Sequence, residues 1–118
     1  MPKTEIGSLS KALLAVALIF ATCSASAVQT RGATTCDQWL ADNKNNGWEI
    51  VSDHFWLLGY LSGLAVGLNK DFLVDSTNDS LYAWMDDYCQ TNWSKGIGEA
   101  AQALANERIE AQQNDKKN

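Results

Sequence analysis

Basic charge is scarce in this 118-residue chain, with nine Lys and Arg against fourteen Asp and Glu, and there are only one Pro, one His and three Cys. Each shortage excludes something. A single histidine, His54, limits any metal site to one imidazole ligand. No Cys-x-x-Cys pair occurs, so there is no dithiol redox motif. Neither a Gly-x-Ser-x-Gly elbow, nor a phosphate loop, nor a cysteine–histidine nucleophile arrangement can be assembled. Without a Lys/Arg cluster, nucleic acid and anionic membrane are poor partners, because both demand positive charge. No apolar run approaches the roughly 20 residues that span a bilayer. The sequence therefore names no catalytic residue, no metal ligand and no cofactor, and the expectation is a protein that is not an enzyme.

What is present begins with an export signal. Lys3 and Lys11 precede an apolar stretch from Ala12 to Ala21, and Ala25-Ser26-Ala27 forms a small-x-small cleavage site. A lipoprotein signal fits poorly, because Thr22 rather than a small apolar residue precedes Cys23. Cleavage after Ala27 discards Cys23 and leaves 91 residues with two cysteines, Cys36 and Cys89. In an oxidising compartment such a pair forms a structural disulfide. The remaining chain holds seven basic and thirteen acidic residues, a formal charge of −6, and all five Trp. A single small domain, located in the periplasm, is expected.

The pattern along that domain is helical. Residues 28–34 read as a flexible lead-in. Thr35 has the character of an N-cap, with Gln38 in the position of a capping box, and a first helix runs from about Cys36 to Lys44. Asn45-Asn46-Gly47 ends it. The second and most apolar helix spans about Ser52 to Asn69. A polar link from Lys70 to Ser80 is interrupted by Phe72-Leu73-Val74, which is expected to reach the core. Asp79 or Ser80 caps a third helix, whose Leu81, Trp84, Met85, Tyr88 and Cys89 recur at helical spacing. A fourth runs from about Ile97 to Gln112 on a thin, alanine-rich stripe. The expected fold is all-α, a small bundle of about four short helices over residues 35–112, stapled by Cys36–Cys89. Residues 113–118 are expected to fray.

Several residues invite a functional reading. Gly59, Gly63 and Gly67 recur every four residues and line up along the second helix. Each costs helix propensity, about 1 kcal/mol against alanine, so the row implies close backbone approach. The expected neighbour is another helix of the same chain; a partner chain is the alternative. Trp56, Tyr60, Trp84 and Trp93 are candidate binding aromatics. His54, beside Asp53, titrates in the range of a pH sensor, but a lone histidine near a helix start reads first as a surface residue. Asp86 and Asp87 point about 100° apart on a helix and read as a solvated face. Asp71, Asp75, Asn78 and Asp79 lack the spacing and glycine of a calcium loop.

Taken together, the exported length, the opening Thr35-Cys36-Asp37-Gln38-Trp39-Leu40, the Gly59-Tyr60 element and the passage from Cys89 through Gln90-Thr91-Asn92 resemble the small periplasmic acid-stress chaperones of the HdeA/HdeB type. The resemblance covers most of the chain after the signal. It implies a helical domain in monomer–dimer equilibrium, with the bridge joining the first helix to a later one. It also implies that acid loosens the dimer and exposes apolar surface that holds denatured protein clients. A second reading is an immunity or inhibitor protein that blocks a toxic cell-wall enzyme in the periplasm. The chain resembles Tai-type immunity proteins in architecture, with Asp71 to Asp79 as the inhibitory loop.

Overall fold

The computed structural model describes residues 29–118; the expected signal segment and its cleavage site lie outside the described residues. Four helices follow one another: α1 (Cys36–Asn45), α2 (Trp48–Leu68), α3 (Asn78–Thr91) and α4 (Ile97–Lys117). The all-α bundle and the Cys36–Cys89 bridge expected from the sequence are both present. Helix α1 packs on α3, α2 packs on α4, and the α1–α2 and α3–α4 contacts close the ring.

Helix starts and stops follow local chemistry, with informative exceptions. Asn46 and Asn69 take the left-handed conformation at the ends of α1 and α2, a role asparagine fills at low steric cost. Helix α2 begins four residues earlier than its serine suggested. Gly47 stands at the cap, Glu49 lies in the first turn and Ile50 is buried, so core packing recruits the extra turn. Helix α3 is capped by Thr77, not by Asp79 or Ser80. The Thr77 hydroxyl accepts from the Ser80 backbone N–H, and the Ser80 hydroxyl accepts from the Thr77 N–H, both at 3.1 Å. Serine here fills the position usually held by glutamate in a capping box.

The expected Thr35–Gln38 box does not form. The Thr35 hydroxyl donates to the Asp37 carboxylate, and the Gln38 amide donates to Asp42 at 2.7 Å. The first N–H groups of α1, which no helix satisfies internally, are met from elsewhere. Cys36 N–H donates to the Lys95 carbonyl at 2.8 Å, and Asp37 N–H to the Trp93 carbonyl at 3.0 Å. The α3–α4 link thus caps α1.

The core contains Trp39, Ile50, Leu57, Leu61, Phe72, Leu81, Met85, Ile97 and Leu104, together with the disulfide. Phe72 reaches it as expected, Leu73 packs at its edge, and Val74 is exposed. Gly98, Ala100, Ala101 and Ala105 are buried along α4. The small residues that the fold buries therefore lie on α4, not on the glycine row of α2. The expected lead-in is tied down. Trp56 Nε1 donates to the Arg31 carbonyl at 2.8 Å, and Ile97 N–H donates to the Thr34 carbonyl at 3.0 Å. Gly32 has φ of 77°, and a Cβ there would meet the Trp56 indole at 3.3 Å, so a side chain is disfavoured by both backbone and neighbour. At the other end, α4 continues through the expected frayed tail to Lys117.

Cys36 and Cys89 lie 4.8 Å apart at Cα and close a sequence separation of 53 residues. By loop entropy, a bridge of that span contributes about 4 kcal/mol, and removing one from a small secreted domain typically costs about 2–5 kcal/mol. Cys36→Ser is expected to lower the unfolding free energy by about that amount, read from urea titration of the purified protein. A loss well under 1 kcal/mol would show that the helices dock without the bridge.

Candidate functional site

Most helices of a small bundle show one apolar face and one polar face. Helix α2 does not. Ile50, Leu57 and Leu61 point into the core, while Trp48, Phe55 and Val66 on the opposite side are 75%, 70% and 83% exposed. From His54 to Asn69 there is no Asp, Glu, Lys or Arg, the longest such stretch in residues 29–118. A helix that is apolar all round is ordinarily buried all round, so this outer face is the outstanding feature of the surface.

The glycine row lies on this face. A Cβ placed at Gly59, Gly63 or Gly67 would meet nothing within 4 Å. Close packing of the row against another helix of the chain, as expected from the sequence, is therefore incorrect among the described residues. The glycines instead form the floor of a groove of about 320 Å³, walled by Tyr60, Leu64 and Leu68. At Gly59 and Tyr60 it runs into a second hollow of about 540 Å³ lined by Phe55, Trp56 and residues 29–31. Arg31 is the one charged residue along the joined groove.

The four candidate aromatics do not form one patch. Trp56 and Tyr60 stack at 5.0 Å between ring centres, are half-buried, and line the groove. Trp84 stacks on Tyr88 of α3 at 5.1 Å, and its Nε1 donates to Glu107 of α4 at 3.1 Å. That pair serves the α3–α4 seam. Trp93 is exposed in the α3–α4 link. Trp48 and Phe55, which sequence reasoning passed over, carry more of the open surface. Their signal was present in the sequence, since both share a helical face with the glycines.

Beneath α2 lies a set of polar groups that the sequence separated. Asp86, expected on a solvated face, accepts from Trp39 Nε1 at 2.7 Å and from the Asn43 amide at 3.0 Å. It latches α1 to α3, while Asp87 remains exposed. His54 is not a free surface residue either. Its ring lies flat on Tyr82 at 3.6 Å and tilts against Trp39 at 5.3 Å. Burial holds its pKa below the usual imidazole value, against the opposing pull of Asp86 and Asp79.

One helix away, Asp42 is buried and Asp53 is half-buried, with Asp53 Oδ2 shielded and unpartnered. Burial pushes the Asp53 carboxyl up to about 6, helped by the adjacent Asp42 carboxyl and by the charges of Asp42 and Glu49. Two carboxylates in such a site share a proton more readily than they both ionise. Among the described residues, no three His, Cys, Asp or Glu are grouped to hold a metal, and no helix is long and apolar enough to cross a membrane.

The Asp53 shift makes stability depend on pH. A carboxyl raised from 3.8 to about 6 in the folded state binds its proton more tightly folded than unfolded. Its stabilising effect is complete below about pH 4 and is lost as pH rises through 6. His54, whose folded pKa is lowered, acts in the opposite sense below its unfolded value. The larger displacement is that of Asp53. Unfolding free energy is thus expected to rise as pH falls from about 7.5 to 5. Asp53→Asn should raise stability at neutral pH and flatten that slope; an unchanged slope in the variant would remove the carboxyl pair as its origin. Separately, Gly63→Ala at low protein concentration should stabilise the fold by up to about 1 kcal/mol, since the new methyl meets nothing and helix propensity improves.

Comparison with protein-family models, curated proteins and solved structures gave no match. The functional reading rests on the chain's own geometry and chemistry.

Proposed function

We propose that this protein is an exported, non-catalytic binding domain that holds unfolded protein clients in an acidified periplasm. The observation that carries the reading is the uncharged outer face of α2, where Trp48, Phe55 and Val66 stand exposed beside a glycine-floored groove. Unfolded chains offer apolar side chains and little fixed shape. A broad apolar face with a shallow groove suits such a partner better than an enclosed pocket does. Acid favours the same use. As pH falls the thirteen carboxylates lose their charge, Asp53 first at about 6, while the seven basic residues keep theirs and His54 gains one. The domain becomes positive as its clients do, which keeps a loaded complex dispersed. Meanwhile the disulfide and the Asp42–Asp53 pair support the fold in acid, when other proteins are losing theirs.

An inhibitor of one periplasmic enzyme is the second reading. It is favoured by the link between α2 and α3, which projects Val74 while Phe72 and the bond from Gln112 to the Asp71 carbonyl pin its base.

Client holding predicts that the purified protein suppresses aggregation of an acid-denatured model protein at about pH 2–3, with little effect at neutral pH. Phe55→Ser combined with Val66→Ser should weaken that suppression several-fold while leaving the helical content unchanged, because both side chains lie outside the core. Light scattering measures the first and circular dichroism the second. No suppression at either pH sinks the chaperone reading. Tight, stoichiometric inhibition of a single enzyme at neutral pH, lost on altering Val74, establishes the inhibitor instead.

A further inference from the structure

The joined groove on α2 is apolar along its length and cationic at one end. It follows the helix from Phe55 to Leu68, thirteen steps of about 1.5 Å, or roughly 20 Å. From Gly59 to Leu68 its floor is glycine backbone, and Tyr60 is the one lining side chain with a polar atom. The head is different, because Arg31 stands there beside the stacked Trp56 and Tyr60. That head is firmly built. Trp56 Nε1 donates to the Arg31 carbonyl at 2.8 Å, and Gly32 takes its left-handed turn against the same indole. Ile97 N–H then holds the Thr34 carbonyl at 3.0 Å. We propose that the groove binds a long-chain fatty acid, with its carboxylate on Arg31 and its acyl chain along the glycine floor.

Length, shape and charge each support this occupant. One acyl chain fills half of a bilayer's hydrocarbon core, or about 15 Å, which leaves room at the head of the groove for a carboxylate. A Cβ at Gly59, Gly63 or Gly67 would stand in the open channel that the chain needs. A mostly apolar cleft with one placed polar group is the usual form of a small-molecule site. The guanidinium presents paired N–H donors that match a carboxylate. Elsewhere the chain is hostile to anions, since residues 29–118 hold thirteen acidic and seven basic residues. Residues 54–69 carry no Asp or Glu, and Asp53, the nearest acid along α2, lies beside Asp42 of α1. Adsorption by apolar contact alone would favour a cationic amphiphile on so acidic a protein. Arg31 reverses that preference.

Titration calorimetry of the purified protein at about pH 8, with palmitate below its micelle-forming concentration, should show saturable binding with a Kd of roughly 1–100 μM. Laurate, about four methylenes shorter, should bind at least tenfold more weakly. Hexadecyltrimethylammonium, which pairs a similar chain with the opposite charge, should also lose about tenfold. Arg31→Gln should weaken palmitate by about tenfold, and Arg31→Lys by less. Gly63→Leu fills the groove from outside the core, so it should abolish binding while circular dichroism stays native. Absence of saturable binding up to the solubility of palmitate overturns the proposal and leaves the groove to polypeptide alone. Equal or tighter binding of the cationic amphiphile, or palmitate affinity unchanged in Arg31→Gln or Gly63→Leu, overturns it too. Tighter binding of lysophosphatidylcholine would make the site one for phospholipid and not for a free carboxylate. Client holding is measured without fatty acid, so either reading can fail while the other stands.

Discussion

The junction of the first turn of α1 with the last turn of α3 is the constraint on which the rest of the bundle depends. Cys36 is bonded to Cys89, Cys36 N–H and Asp37 N–H are received by carbonyls of the α3–α4 link, and Trp39 one turn later donates to Asp86. Covalent, backbone and side-chain ties thus converge within a few residues. In a domain this small, net stability is only several kcal/mol, and a bridge contributing about 4 kcal/mol is a large part of it. With α1 and α3 fixed, Trp39 fills the centre and α2 and α4 close over it. The bonds at Arg31 and Thr34 then lay the N-terminal segment across α2 and the start of α4.

That arrangement explains how α2 can be apolar on both sides. Its inner face meets α4, whose buried residues include the small Gly98, Ala100, Ala101 and Ala105. Nothing in the bundle is left to cover the outer face among the described residues. The consequence is a surface of large apolar groups and bare glycine backbone on an acidic protein. Such a surface is costly in water.

The ionisable groups tell a related story. Asp42 and Asp53 face each other between α1 and α2, while His54 of α2 and Asp86 of α3 both contact Trp39 of α1. Asp53 gains from acid and His54 loses, so the fold carries opposed responses to the same proton concentration. The carboxyl pair is the larger effect. Protonation of Asp53 favours the folded state even as acid strips negative charge from the surface.

The sequence by itself determined the four helices, the cysteine pairing and the approximate core, because these follow from local periodicity, turn residues and an even cysteine count. Leu81, Met85 and Cys89 recur at helical spacing and are buried; Asn46 stops α1 where asparagine was expected to. It also singled out Gly59, Gly63 and Gly67, but not their environment. A row of glycines records that no side chain stands there, and it is silent on whether the space belongs to a neighbouring helix, to solvent or to another molecule. Only the tertiary structure decided that the row faces outward, that the buried small residues lie on α4, that Lys95 and Trp93 cap α1, and that Asp42 lies against Asp53. These are contacts between residues distant in the chain. Their partners are chosen by how the helices dock, and docking leaves no periodic mark on the sequence.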